Sequence, residues 1–134
     1  SESKANALGL KPLAKIVAHA TNAIKPEDFT VAPVGAIEKV FAQTGWTKDD
    51  VDLYEINEAF AVVTMAAMRD VGLDHSKVNV NGGACALGHP VGASGARILV
   101  TLYHAMKTHN VDKGMAAICL AGGEATAMSL EMME

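Results

Sequence analysis

Residues 81–95 read NGGACALGHPVGASG, and this stretch contains five glycines, one histidine and one proline. Glycine permits positive φ and lets a ligand approach the main chain closely, which special turns need and ordinary loops do not. Pro90 disfavours helical geometry at the residue before it, so His89 is expected to be extended. The stretch therefore predicts a tight loop that holds the imidazole of His89 in place.

The composition around this loop is that of a single globular unit. The chain has 134 residues, of which 50% are hydrophobic, and a net charge of −4. These values predict one domain with a real core and argue against a nucleic-acid partner, because no basic stripe is present. No apolar run approaches the roughly 20 residues of a membrane span. We therefore expect a cytoplasmic protein with no membrane partner. Residues 1–7 are taken as an N-terminal extension or tag remnant, and 8–134 as the domain.

The hydrophobic pattern predicts alternating strands and helices. The predicted strands are 13–19, 51–56, 78–80, 114–120 and 124–132. The predicted helices are one from Pro33 to the residue before Gly45, a mostly buried one over 58–71, and one after the glycine-rich stretch that ends near Asn110. This order predicts an α/β fold with a mixed, mostly parallel five-stranded sheet covered by helices.

Three segments follow predicted strands, namely 57–61, 81–95 and 119–125. Ligands of α/β sheets gather where strands lead into helices, so these segments are expected to converge at one edge of the sheet. The glycine-rich stretch departs from the common motifs of such edges. His89 and Pro90 stand where a P-loop needs Lys and Ser or Thr, a dinucleotide fingerprint lacks its first glycine, and Ala96 breaks a serine-hydrolase elbow.

Each polar residue at these junctions has an ordinary structural interpretation. Cys119 by itself is more often a small buried apolar residue, Asn57 a helix cap, and Cys85 a packing residue. The two cysteines form no Cys-x-x-Cys pair, which argues against a metal site and does not demand a disulfide. The other histidines are expected at the surface or in strands. They are His19, His75, His104 and His109.

The same residues taken together have a chemical interpretation. A glycine turn beside Cys119 can direct backbone N–H groups at an oxyanion, and a neighbouring imidazole can activate the thiol. A held imidazole, a thiol and the amide of Asn57 suit acyl chemistry through an oxyanion.

Three blocks of the chain resemble the C-terminal signature blocks of thiolases, in the same order and spacing. They are residues 57–61 (NEAFA), 82–102 (GGACALGHPVGASGARILVTL) and 119–123 (CLAGG). Among thiolases, the chain is most similar to the short-chain acetyl-CoA acetyltransferases. The resemblance implies one βαβαβαββ half of a fold that repeats this unit twice. The other half, which carries the acylated cysteine in the family, is a partner that this chain does not contain.

The resemblance also implies substrates, partners and roles. The substrates would be acetyl-CoA and acetoacetyl-CoA, with no further cofactor and no metal, in a homo-oligomeric enzyme. His89 would activate the acylated cysteine and bind the thioester oxygen, and Asn57 would position a water that completes this first oxyanion hole. Cys119 would be the acid–base residue. The N–H of Ala121 would form the second oxyanion hole, and the backbone of Gly88 and Gly122 would line the substrate pocket.

Two departures and two alternatives accompany this interpretation. Thiolases commonly read CIGGGQG where residues 119–125 read CLAGGEA, so Ala121 replaces a glycine, and Glu124 and Ala125 replace a glutamine and a glycine. If Ala121 occupies a position that needs positive φ, it is strained by roughly 1 kcal/mol. The alternatives are a non-catalytic acyl-CoA binding or assembly module and a decarboxylating condensing enzyme. The latter typically uses two active-site histidines, whereas this chain has one held histidine and the Cys119 block. The isolated chain is expected to be inactive.

Overall fold

Four strands form the sheet in the computed structural model, which describes residues 1–133. They are β1 (Ala14–Ala23), β2 (Leu53–Ile56), β3 (Lys113–Leu120) and β4 (Glu124–Met132). Their order across the sheet is β1-β4-β3-β2. Strands β2 and β3 are parallel, and β4 pairs antiparallel with both β1 and β3. The mixed α/β class expected from the sequence is confirmed, but the expectation of a mostly parallel sheet is wrong, because only one of the three strand pairings is parallel.

Among the described residues, five α-helices and two short 3-10 helices accompany these strands. The α-helices are α1 (Glu2–Ala7), α2 (Ala32–Thr44), α3 (Ala61–Val71), α4 (Ala84–Leu87) and α5 (Ser94–His109), and the 3-10 helices are Pro26–Val31 and His75–Lys77. Gly45 and Gly72 end α2 and α3 in the left-handed conformation, with φ of 73° and 75°. Both are the common glycine terminators of helices. Within residues 1–133, no helix is both long and apolar enough to cross a membrane.

The expected strand over 78–80 is absent, so the predicted count of five strands is wrong. Val78 makes only an isolated bridge to Tyr54. Asn79 has a φ of 49°, which no strand accommodates. Its side-chain amide instead accepts the N–H of Ile56 at 2.8 Å and donates to the Ile56 carbonyl oxygen at 2.9 Å. A side chain therefore satisfies the edge of β2 where backbone pairing was predicted.

The sheet separates two hydrophobic clusters. Tyr54 and Ile56 of β2 pack with residues of α2 and α3 on one face. Leu53 packs with Ile98 and Leu102 of α5 on the other. Burial of each large apolar side chain contributes about 1.5–3 kcal/mol, so both faces of β2 stabilise the fold.

Helix α3 buries only part of its apolar surface, which corrects the prediction of a mostly buried helix. It begins at Ala61, after an extended Phe60, rather than at Glu58. Val63 and Ala67 are buried, whereas Phe60 and Met65 are 59% and 60% exposed. The sheet can cover one face of a helix, and the apolar residues of α3 occupy more than one face.

Candidate active site

The carboxyl ends of β2 and β3 lie side by side because these two strands are parallel neighbours. Asn57 follows β2 directly, and its N–H donates to the carbonyl oxygen of Ala117 at 2.9 Å. Cys119 lies near the end of β3. Parts of the glycine-rich stretch and of both strand ends line one cavity of about 520 Å³, so the predicted convergence of the three segments is confirmed.

The cavity has mainly apolar walls. Its lining residues are Phe29, Ala59, Phe60, His89, Val91, Ile118, Cys119, Leu120, Ala121 and Gly122. The rings of Phe29 and Phe60 meet edge to face, with centroids 6.2 Å apart. Four of the residues singled out from the sequence are therefore brought together here: His89, Cys119, Ala121 and Gly122. Asn57 and Gly88 are not part of the lining, although Gly88 adjoins His89 and has a φ of 91°.

His89 is held by the first residue of α5. Its Nδ1 lies 2.5 Å from Oγ of Ser94, and that hydroxyl donates to the carbonyl oxygen of Pro90 at 3.1 Å. A hydroxyl has one proton to donate, so Oγ accepts a hydrogen bond from Nδ1–H. This arrangement leaves a lone pair on Nε2. The ring can therefore accept a proton at Nε2.

Asn57 is fully buried beside the histidine. Its Nδ2 lies 3.5 Å from both ring nitrogens of His89, and its Oδ1 accepts from Nη2 of Arg97 at 3.2 Å. It is not the cap of α3, whose N-cap is Phe60 with no side-chain hydrogen bond. The helix-cap interpretation of Asn57 is therefore wrong, and its amide belongs to the polar network of the site.

Buried Glu55 forms an ion pair next to Asn57 with Arg97, whose side chain is 20% exposed. Nη1 of Arg97 lies 3.2 Å from Oε2 of Glu55, whose side chain is 2% exposed. In the part of the chain that the structure describes, neither Oε1 of Glu55 nor Nε of Arg97 has a hydrogen-bond partner. Burial raises the pKa of Glu55 to about 7, because desolvation outweighs the attraction of Arg97. Glu55 is thus poised to change its charge near neutral pH.

This raised pKa predicts a pH-dependent stability that Glu55→Gln removes. The pKa of Glu55 is 4.5 in the unfolded chain and about 7 in the folded protein, so the folded state binds the proton more tightly. The stabilising contribution of Glu55 to the free energy of unfolding is fully present below pH 4.5. It is lost as the pH rises through 7, by up to about 3 kcal/mol. We expect the unfolding free energies of the unmodified protein and the Glu55→Gln variant to diverge over this window. A constant difference between about pH 4 and pH 8 would contradict the assignment.

Cys119 is buried and free, and burial raises the pKa of its thiol, which is opposite to the activation by a neighbouring imidazole that the sequence suggested. Cys85 is also free but exposed, so its predicted packing role is wrong. The backbone N–H of Cys85 donates to Oε2 of Glu58 at 2.9 Å, which fastens the start of α4 to the segment after β2. The other four histidines lie exposed, as expected for surface residues.

The turn between β3 and β4 removes the strain expected at Ala121. Ala121 does not have a positive φ, and the positive values fall at Gly122 and Gly123, at 97° and 87°. The alanine therefore occupies ordinary backbone geometry. The two special positions of the turn are those that retain glycine.

Sequence reasoning missed the residues that support His89 and Asn57. These are Glu55, Ser94 and Arg97, together with Phe29 of the cavity wall. A signal existed for Glu55, since a charged residue at an inward position of a buried strand almost always has a partner. Glu55 and Asn57 are two residues apart in an extended segment and so share one face. Nothing in the spacing identified Arg97 as that partner.

Comparison with known proteins identifies the family to which this fold belongs. The family "Thiolase, C-terminal domain" matches residues 10–132. This chain belongs to the thiolase family. It is 50% identical over 132 residues to an acetyl-CoA acetyltransferase of Allochromatium vinosum. The match covers 98% of this chain and 34% of that protein.

Two solved structures resemble the chain closely. One is the acetyl-CoA acetyltransferase of Bacillus anthracis, with a TM-score of 0.96 and 43% identity. The other is the Acat5 thiolase of Ascaris suum in complex with coenzyme A, with a TM-score of 0.94 and 47% identity. Each match covers 99% of this chain and 34% of the solved one. The thiolase chain thus spans about a third of the length of these relatives.

Proposed function

We propose that this chain is the C-terminal catalytic part of an acetyl-CoA C-acetyltransferase, which condenses two acetyl-CoA molecules reversibly to acetoacetyl-CoA and coenzyme A. The observation that carries the proposal is the cavity lined by both His89 and Cys119 in a chain of the thiolase family. The names of the relatives support acetyl-CoA as the substrate, and the coenzyme A complex of the Ascaris suum thiolase supports a coenzyme A thioester.

The first half of the reaction needs a nucleophile from outside this chain. A cysteine of the N-terminal part attacks the thioester carbon of acetyl-CoA, becomes acetylated and releases coenzyme A as the thiol. Nε2 of His89, which carries a lone pair, accepts the proton of that cysteine and passes it to the leaving sulfur of coenzyme A. His89 and a water held by Asn57 then stabilise the negative oxygen of the tetrahedral intermediate.

The second half of the reaction uses Cys119. Its thiolate takes an α-proton from a second acetyl-CoA, and the enolate attacks the carbonyl carbon of the acetylated cysteine. The new carbon–carbon bond yields acetoacetyl-CoA, and the cysteine leaves as a thiolate. This thiolate takes back the proton that Cys119 removed, so both cysteines return to their starting forms. The N–H of Ala121 stabilises the enolate oxygen. In the cleavage direction the Cys119 thiol gives its proton back to the enolate, and the raised pKa of this buried thiol suits that acid role.

The apolar side chains that α3 leaves exposed support the N-terminal part of the enzyme as a partner. Phe60, Val62 and Met65 are each more than half exposed, and together they offer a surface of the kind that interfaces cover. We propose that the N-terminal part of the same enzyme packs there. A homo-oligomer of the complete enzyme and a cytoplasmic location stay predictions.

The complete protein and this chain by itself are expected to differ in activity. The complete protein should cleave acetoacetyl-CoA in the presence of coenzyme A, whereas the purified 134-residue chain should show no turnover, because it lacks the acylated cysteine. The measurement is loss of acetoacetyl-CoA absorbance with matched protein concentrations. Cleavage by the 134-residue chain would contradict the need for a second part, and no cleavage by the complete protein would contradict the proposed function.

A further inference from the structure

The largely buried ion pair of Glu55 and Arg97 lies among apolar residues. It lies between β2 and α5, where the neighbouring contacts are made by apolar residues such as Leu53 and Ile98. Buried ion pairs often stabilise a protein no better than apolar residues of similar size, because desolvation offsets the attraction. The unpartnered Oε1 of Glu55 and Nε of Arg97 add a further cost among the described residues. Stability therefore gives no reason for this pair.

The hydrogen bonds of Arg97 give another reason for a charged pair at this position. The guanidinium of Arg97 donates from Nη1 to Glu55 and from Nη2 to Oδ1 of Asn57, both at 3.2 Å. An asparagine amide can turn over and exchange its oxygen and nitrogen. Since a donor lies against Oδ1, the Nδ2 end is directed at His89. Glu55 in turn fixes the rotation of the planar guanidinium, because the two donors belong to one rigid group.

One turn of α5 thereby holds both residues of the first oxyanion hole. Ser94 begins this helix and contacts His89, and Arg97 follows three residues later and contacts Asn57. Residues three apart lie on the same side of a helix, so the two contacts share one rigid turn. The relative position of His89 and Asn57 is consequently set by this helix.

We propose that Arg97, itself fixed by Glu55, is a positioning residue that orients the amide of Asn57 for the reaction. The inference rests on the proposed function of the site. It adds a residue that touches no substrate and acts through Asn57.

A double-mutant cycle in the complete enzyme tests this role. Asn57→Ala is expected to lower kcat about 100-fold or more, as loss of an oxyanion donor does. Arg97→Met should lower kcat by roughly 10- to 100-fold, which is within the range of coupling energies measured between residues in contact. KM should change less than about threefold. The double variant should be no slower than Asn57→Ala. Arg69→Met is the matched control, because it removes an exposed arginine paired with Asp70. It should retain the unmodified kcat.

Additive losses in the double variant, or an unchanged kcat for Arg97→Met, would overturn the proposal. If Arg97→Met does not fold, Arg97→Lys serves in the same cycle, because it keeps a charge beside Glu55 but lacks the planar fork. Neutron crystal structures, which distinguish the amide nitrogen from the oxygen, give a readout independent of turnover. The Asn57 side chain should take more than one orientation in the Arg97 variant and one in the Arg69 control, and an unchanged single orientation in both would also overturn the proposal. An inactive unmodified enzyme would instead contradict the proposed function.

Discussion

Cys119→Ala in the complete enzyme is expected to abolish condensation and exchange of the acetyl-CoA α-protons, while acylation of the nucleophilic cysteine survives. The cavity lining within the described residues contains two side chains that can carry a proton in this reaction, and they are Cys119 and His89. Loss of a general base typically lowers a rate by about 10²–10⁴-fold, and the acylation step does not need this base. Exchange is measured by deuterium incorporation into acetyl-CoA, and acylation by mass spectrometry of the enzyme.

Cys85→Ala is the matched control for that experiment. Cys85 is the other free cysteine of the chain, but its side chain is exposed and lies outside the cavity lining. Its replacement should leave exchange and condensation at the unmodified level. Unimpaired exchange in the Cys119 variant would rule out Cys119 as the base.

Gly123→Ala is expected to destabilise the fold by about 4 kcal/mol, the sum of backbone strain and a steric clash. Gly123 has a φ of 87°, and a Cβ at this position would clash with the carbonyl oxygens of Ile24 and Lys25, the second of them at 2.7 Å. The carbonyl oxygen of Gly123 also accepts the N–H of Ile24 at 2.9 Å, so the turn cannot withdraw without breaking that hydrogen bond. The measurement is the free energy of unfolding from chemical denaturation.

Gly122→Ala separates the two causes. Gly122 has a similar φ of 97°, but a Cβ there would have no atom of residues 1–133 within 4 Å. It should therefore cost only the strain of a left-handed alanine, about 1 kcal/mol. Equal losses for the two variants would show that the approach of the Ile24 and Lys25 carbonyl oxygens to Gly123 is unimportant.

Local pattern was sufficient to predict most elements of the fold. The strands around Cys119 and over 124–132 were predicted from their residue types and the glycine turn between them, and the structure confirms both. Helix α2 has Pro33 in its first turn and Gly45 as its terminator. The expected strand over 78–80 failed because Asn79 supplies a side-chain amide to Ile56, a contact between residues 23 positions apart that no local pattern contains.

In the candidate site, too, local sequence predicted some residues, and contacts between distant parts of the chain determined the other features. His89, Cys119 and Asn57 stand next to glycine turns or strand ends, and this local context identified them. The positive φ values at Gly122 and Gly123, rather than at Ala121, depend on how the turn packs against the end of β1. The exposure of Phe60 and Met65 likewise reflects which face of α3 meets the sheet.

The sequence by itself determined the fold class, the thiolase resemblance and the three segments that form the cavity, because these depend on residue types at short spacing. Only the tertiary structure decided that Asn57 lies buried beside His89 instead of capping a helix, and that Arg97 donates hydrogen bonds to both Asn57 and Glu55. The physical reason is that the buried network joins residues 42 positions apart. Its partners are chosen by how α5 packs on β2, and that packing is a property of the whole domain.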